Sequence, residues 1–178
     1  HRLQRSRLPV AGVAREPQEM SDASAVVAML IERGLTIAVA ESLTGGLLVA
    51  ELISVPGASA VVLGGVVAYN TELKHTVLGV DADLLAEHGA VHPDVAAQMA
   101  TGVRVALAVA AGPARIGIST TGVAGPDPQD GQPVGTVLLG FAVGDAVHTR
   151  QLALSGSRAD IRSAVVSESL SELWQILG

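Results

Sequence analysis

The chain contains no cysteine, and its 178 residues include one tyrosine, one phenylalanine and one tryptophan. Without cysteine there is no disulfide scaffold, no thiol nucleophile and no cysteine-ligated zinc or iron–sulfur site. Three aromatics (Tyr69, Phe141 and Trp174) are too few for the stacking platforms of single-strand nucleic-acid binders. Lysine is equally scarce: ten of the eleven basic residues are arginine, and Lys74 is the only lysine. The net charge is −6, with residues 1–19 contributing +2 and the remainder −8. An acidic body cannot supply the clustered Lys and Arg that neutralise a phosphate backbone, so no nucleic-acid partner is expected. No apolar run reaches the ~18 residues of a membrane-spanning helix, and no signal-peptide pattern precedes the body. The expectation is a cytoplasmic protein with no membrane partner.

What is abundant is alanine and valine. The chain is 49% hydrophobic and 16% charged, with a mean hydropathy of +0.47. That composition suits buried strands and tightly packed helices, at a length that gives one ordinary domain a real core. Residues 1–19 open on His1 and show no apolar period, and Met20-Ser21 reads like a natural start. They are expected to be a tag-like or disordered leader, with 20–178 forming a single domain.

The pattern alternates between helices and strands. Asp22 or Ser21 caps a helix to Arg33, stopped by Gly34. Leu35–Ala40 is a buried strand. A polar turn, Glu41–Gly46, leads into a helical stretch to about Ile53. Val61–Tyr69 is a second strand, in which Gly64-Gly65 marks a bulge or a close backbone approach. Asn70 or Thr71 caps a short helix through Leu78, Asp81 starts another stopped by Gly89, and Pro93 opens a long Ala-rich helix ending near Gly112-Pro113. Ile116–Thr120 is a strand, followed by a Gly, Pro and Asp-rich loop over 122–133. Strands Val134–Val143 and Ala146–Leu154 flank Gly144-Asp145, the signature of a type II′ hairpin. Ser157 caps a final helix that turns Ile161, Val165, Leu173, Trp174 and Leu177 to the core. Alternation with one antiparallel hairpin predicts a three-layer α/β/α sandwich with a mixed, mostly parallel sheet.

Four segments could carry chemistry. At Glu41-Ser42-Leu43-Thr44-Gly45-Gly46 a strand passes into a helix, the place where ligands gather on open α/β sheets. There Ser42 is a candidate nucleophile and the following N–H groups candidate oxyanion donors. The same residues also read as an N-cap and a glycine turn. In Tyr69-Asn70-Thr71-Glu72-Leu73-Lys74 the only tyrosine lies five positions before the only lysine. Strand–helix placement puts both on the same rim as Ser42. A lysine whose pKa falls from ~10.4 toward neutrality by desolvation can serve as general base. The plain alternative is a snorkelling lysine and a core tyrosine. Ser119–Pro126, a strand exit rich in hydroxyls and glycine, suits a polar ligand and equally reads as an ordinary surface loop. Arg158, in the first turn of a helix, opposes the helix dipole and so suits an anion, the plain alternative being a solvated arginine. His75, His88, His92 and His148 are scattered, Gly89 and Pro93 break any helix pairing His88 with His92, and no metal site is expected. No Walker A or GxGxxG pattern occurs.

Taken together, Ala40–Ser59, Gly64–Val80, His88–Gly102, Thr120–Gly135 and Ser155–Arg162 resemble the CinA C-terminal domain family, the nicotinamide-nucleotide amidohydrolases. The resemblance covers nearly all of the chain from about residue 22. It implies a cofactor-free deamidation of nicotinamide mononucleotide to nicotinic acid mononucleotide and ammonia, in pyridine nucleotide salvage. The family's catalytic serine, tyrosine and lysine fall on Ser42, Tyr69 and Lys74. Its substrate-binding positions fall on Thr44, Gly45, Gly46, Thr121, Gly122 and Arg158. A homo-oligomer is expected. Two positions depart from the usual pattern: His92 stands where serine is common, and Gln132 where lysine is common. The N-terminal domain resembling molybdopterin-binding proteins is not found in the leader. The alternatives are a non-catalytic ligand-binding or oligomerisation module of the same fold, and an amidase for another small carboxamide.

Overall fold

The computed structural model describes residues 22–178; the expected leader and the alternative cap Ser21 lie outside them. The elements in chain order are α1 (Asp22–Arg33), β1 (Ile37–Glu41), α2 (Leu47–Ile53), a single 3₁₀ turn (Ala58–Ala60), β2 (Val62–Val67), α3 (Thr71–Thr76), α4 (Ala82–His88) and α5 (Pro93–Ala106). Then come β3 (Ile116–Gly122), β4 (Thr136–Val143), β5 (Ala146–Ala153) and α6 (Arg158–Leu177). The five strands form one sheet in the order β2-β1-β3-β4-β5. β1 is parallel to both neighbours, whereas β3–β4 and β4–β5 are antiparallel. The sheet is mixed, as the alternating pattern implied, but in equal halves.

The strand pleat sorts side chains between two helical layers. Ile37 and Val39 enter a core with Leu30, Leu48 and Ile161 from α1, α2 and α6. Ala38 and Ala40 face the opposite core, with Val95, Met99 and Val103 of α5. Helix α5 lies directly on the sheet because glycines face it. A Cβ on Gly117 would sit 1.9 Å from the Ala100 carbonyl oxygen, and one on Gly140 would sit 2.2 Å from that of Ala96. Between them Ser119 Oγ donates to the Ala96 carbonyl at 2.7 Å. The expected irregularity in the second strand is present: the β1–β2 register slips between Ile37 and Ala38. A Cβ on Gly65 would meet Val49 of α2 at 3.0 Å.

Three expectations shift. Helix α5 ends at Ala106 rather than near Gly112. The chain must return to β3, and Arg104 fixes that return by donating from Nε to the Ala114 carbonyl at 2.7 Å and from Nη1 to that of Gly144 at 2.6 Å. Trp174 is 44% exposed instead of core. The buried stripe of α6 runs through Leu170, Leu173 and Leu177, and Trp174 lies ~100° around the helix from Leu173. The strand expected to end at Thr120 continues to Gly122. The β4–β5 hairpin forms where expected, with Gly144 at φ 59°.

Candidate active site

The pleat of β1 separates two adjacent polar residues. Glu41 points to the α2 layer, and its fully buried carboxylate accepts from the N–H groups of Leu48 (2.8 Å) and Val49 (3.0 Å). It thereby caps α2 from the end of a strand and meets the positive end of the helix dipole. The N-cap residue itself is Gly46, which offers no side-chain acceptor. Ser42 is therefore not the cap that its position before a helix allowed, and its hydroxyl faces the other way. Its N–H donates to the Thr120 carbonyl at 3.0 Å, which ties the loop to β3. Gly45 and Gly46 take φ of 60° and 102°, a left-handed turn that a residue with Cβ would strain.

Lys74 comes from α3. That helix starts where Asn70 Oδ1 accepts from the Glu72 N–H at 2.9 Å. Four residues in, the lysine is 1% exposed. Its Nζ donates to Ser42 Oγ at 3.0 Å and to the Ala68 carbonyl at 2.7 Å. Burial strips water from the ammonium and lowers its pKa from 10.5 to about 8, while the negative charge of Asp130 pulls it back upward. Asp130 is held by accepting from the Ala90 N–H at 3.0 Å.

Ser42 opens on a cavity of about 370 Å³, walled also by Tyr69, Asn70, Thr121, Gly125 and Arg158 among others, and Lys74 lies buried behind it. That volume is within the ~300–1,000 Å³ of small-molecule sites. Tyr69 is 61% exposed. Its hydroxyl accepts from Arg158 Nη2 at 3.1 Å, and Arg158 Nη1 donates to the Gly125 carbonyl at 2.6 Å. Among the described residues, Tyr69 has no hydrogen bond to Lys74 or Ser42. The phenol and guanidinium instead form a strap on the rim. Thr121 and Gly122 line the wall, but the Thr121 hydroxyl is spent on the Ala90 carbonyl at 2.8 Å. A Cβ on Gly122 would sit 2.6 Å from the Thr136 carbonyl oxygen, so this glycine serves strand packing. Thr44, Gly45 and Gly46 lie behind the wall, and the Thr44 hydroxyl pairs with that of Thr120 at 2.7 Å.

Several residues at this site had no assigned role in the sequence pattern: Glu41, Thr120, Asp130 and Arg162. Arg162 of α6 donates from Nε to the Leu43 carbonyl (2.8 Å) and from Nη2 to that of Thr44 (3.3 Å). The departure at His92 has a local account. Its Nδ1 accepts from the Asp94 N–H at 3.1 Å and caps α5, a task serine performs equally well. Its ring stacks on His88 at 4.4 Å, brought there by the turn that separates them.

Fold and site together define an α/β domain that presents a serine–lysine pair in a cleft, at the carboxyl ends of its three mutually parallel strands. The chain belongs to the CinA C-terminal domain family, whose family model matches residues 19–177. It is 49% identical over 152 residues to a CinA-like protein of Frankia casuarinae, covering 85% of this chain and 34% of that protein. The chain thus spans about a third of the length of that curated relative. A competence-damaged protein (CinA) superfamily protein of Klebsiella pneumoniae superposes with a TM-score of 0.81 at 32% identity, covering 88% of this chain and 95% of the other. A competence/damage inducible protein of Agrobacterium tumefaciens gives 0.79 at 33% identity, covering 88% and 93%. Among the described residues no helix is long and apolar enough to cross a membrane.

Proposed function

We propose that this domain is a serine amidohydrolase that hydrolyses the carboxamide of nicotinamide mononucleotide to nicotinic acid mononucleotide and ammonia. The observation that carries the reading is the buried Lys74 Nζ, 3.0 Å from Ser42 Oγ and lowered to about 8. With that pKa about one site in ten holds a neutral lysine at pH 7. In that state the hydrogen bond reverses and the serine hydroxyl donates to nitrogen.

Ser42 Oγ attacks the carboxamide carbon as its proton passes to Lys74. The carbonyl π pair moves to oxygen, where main-chain N–H donors at the cavity wall would hold the oxyanion. Collapse restores the carbonyl and breaks the C–N bond, and Lys74 returns its proton to the departing nitrogen. A water, deprotonated by Lys74, then attacks the acyl-enzyme and releases the carboxylic acid, with Ser42 regaining its proton. General base action of this kind contributes ~10²–10⁴-fold. The Arg158–Tyr69 strap and the Thr121–Gly125 wall would face the ribose phosphate. Arg158 supplies positive charge for the phosphate, and Tyr69 holds Arg158.

The test is ammonia release from nicotinamide mononucleotide by wild type, Ser42→Ala and Lys74→Arg. Wild type turns over, and neither folded variant does, since arginine keeps its proton at working pH. Wild-type rates in either variant would refute the mechanism. Tight binding without turnover in wild type would assign the fold to a binding module, and preference for another carboxamide by kcat/KM would reassign the substrate.

A further inference from the structure

Ala90 lines the cavity from the turn between α4 and α5, and most of the facing wall comes from the β3–β4 connection. Both polar groups of Ala90 are held by that connection. The Thr121 hydroxyl donates to its carbonyl at 2.8 Å, and Asp130 Oδ2 accepts from its N–H at 3.0 Å. Thr121 is fixed as part of β3. Asp130 is placed by a small hairpin instead. Gln129 and Gln132 each donate an N–H to the other's carbonyl, at 3.1 and 2.8 Å, which leaves Asp130-Gly131 as a two-residue tip. Both tip residues take positive φ, 50° and 73°, as a type I′ loop requires. Among the described residues Asp130 is the only non-glycine with positive φ, and aspartate is one of the few side chains that accept it readily.

The tip has a receptor. Gly89 turns at φ 73°, and a Cβ there would sit 2.4 Å from Asp130 Cγ, so the carboxylate occupies the space that a side chain would fill. The start of the connection is tied elsewhere: the Val123 N–H donates to the Thr136 carbonyl, and Arg158 holds the Gly125 carbonyl. From Pro126 to Gln132, the one hydrogen bond that leaves the segment, among the described residues, is that of Asp130 to Ala90. Two members of this segment, Asp127 and Gln129, belong to the cavity wall, and Asp130 does not.

We propose that Asp130 is a positioning residue for substrate binding, whose carboxylate clasps the 126–132 segment to Ala90 and so holds the Asp127–Gln129 wall in place. The inference rests on the proposed activity for its ligand. The clasp also brings a charge to the base. Around the cavity, Arg158 is tied to Tyr69 and Gly125, Glu41 is turned to the α2 layer, and Asp127 stands in the wall. Asp130 is the group that raises the Lys74 pKa against the lowering by burial.

The experiment compares wild type with Asp130→Asn and Asp130→Gly. Asparagine tolerates the positive φ and keeps an acceptor for the Ala90 N–H; glycine keeps the φ and removes the acceptor. With nicotinamide mononucleotide, Asp130→Gly is expected to raise KM about tenfold at nearly unchanged kcat, because the wall is ordered in only a fraction of molecules. Asp130→Asn keeps a KM near that of wild type. Both variants lack the negative charge, so the Lys74 pKa falls further and the acid limb of kcat/KM moves to lower pH in both. A merely structural role would not move that limb in Asp130→Asn. Amide hydrogen exchange reads the clasp without substrate: the Ala90 N–H stays protected in wild type and Asp130→Asn and exchanges faster in Asp130→Gly. A wild-type KM in Asp130→Gly, an equal rise of KM in Asp130→Asn, an acid limb unmoved in both, or an Ala90 N–H equally protected in all three would overturn the inference. Failure of the underlying reading looks different. A wild type that binds the nucleotide without turnover refutes the amidohydrolase, and dissociation constants from calorimetry then make the same comparison of the two variants. A wild type that does not bind it removes both.

Discussion

Replacing Lys74 by methionine tests the lowered lysine pKa, on which the proposed base role rests, without reference to any substrate. The lysine pKa falls from 10.5 to about 8 on folding. At 1.36 kcal/mol per unit, keeping the ammonium buried at neutral pH costs about 3 kcal/mol. The folded-state value lies below the unfolded one. Between pH 8 and 10.5 the unfolded chain therefore holds a proton that the folded chain has released, and wild-type stability gains with rising pH. Below pH 8 both states are protonated and the full penalty is present; above 10.5 it has vanished. Lys74→Met does not titrate. It leaves the Ala68 carbonyl without its partner, which costs about 1–3 kcal/mol, but that loss is the same at every pH. Urea unfolding followed by far-ultraviolet circular dichroism, at pH 7 and pH 10.5, isolates the difference. Relative to the variant, wild type should gain about 3 kcal/mol across the interval, while titrations common to both proteins cancel. A constant difference between the two proteins would refute a lysine held near 8. In activity the same group gives kcat/KM a rise of about tenfold per pH unit below 8, levelling above it.

Further outcomes follow from other contacts. Glu41→Ala removes the acceptor for two main-chain N–H groups of α2 and should cost about 2 kcal/mol in urea unfolding, with loss of turnover as the Ser42 loop is freed. Gly140→Ala drives a methyl into the Ala96 carbonyl and Ser119 Oγ. It should destabilise by about 1–3 kcal/mol, read by the same unfolding assay. Tyr69→Phe removes the phenol that accepts from Arg158. KM should rise severalfold with kcat nearly unchanged, whereas a collapse of kcat would show that the phenol takes part in proton transfer.

Local signals in the sequence were enough for most elements. The Asp22–Arg33 helix, the Gly-first hairpin and Pro93 at the start of α5 were all legible, because caps, glycine turns and apolar periodicity are properties of neighbouring residues. The end of α5 was not. Residues 107–112 continue an Ala-rich helical pattern, and what turns the chain is Arg104 reaching carbonyls of the Ala114 and Gly144 segments. Trp174 was misplaced because it adjoins Leu173, and one residue along a helix changes face. At the site, the proximity of Ser42 and Lys74 could be reasoned from strand ends and helix starts. The Tyr69 phenol was expected at the lysine and is instead bonded to Arg158. Glu41 looked like part of a polar turn, because capping a helix from the preceding strand has no short-range signature. Arg162 lies 119 positions from Leu43, a distance no spacing rule bridges.

That long reach has a consequence for how the domain is made. Translation places Ser42, Lys74 and the Asp130 loop outside the ribosome well before α6 is synthesised. Until Arg162 emerges, the segment after Ser42 lacks its anchor, and Arg158 has not yet arrived to meet Tyr69. A nascent chain stalled before residue 158 would hold the serine and the lysine but neither arginine. On the proposed mechanism, chemical competence waits for α6, the last of the described elements to be synthesised.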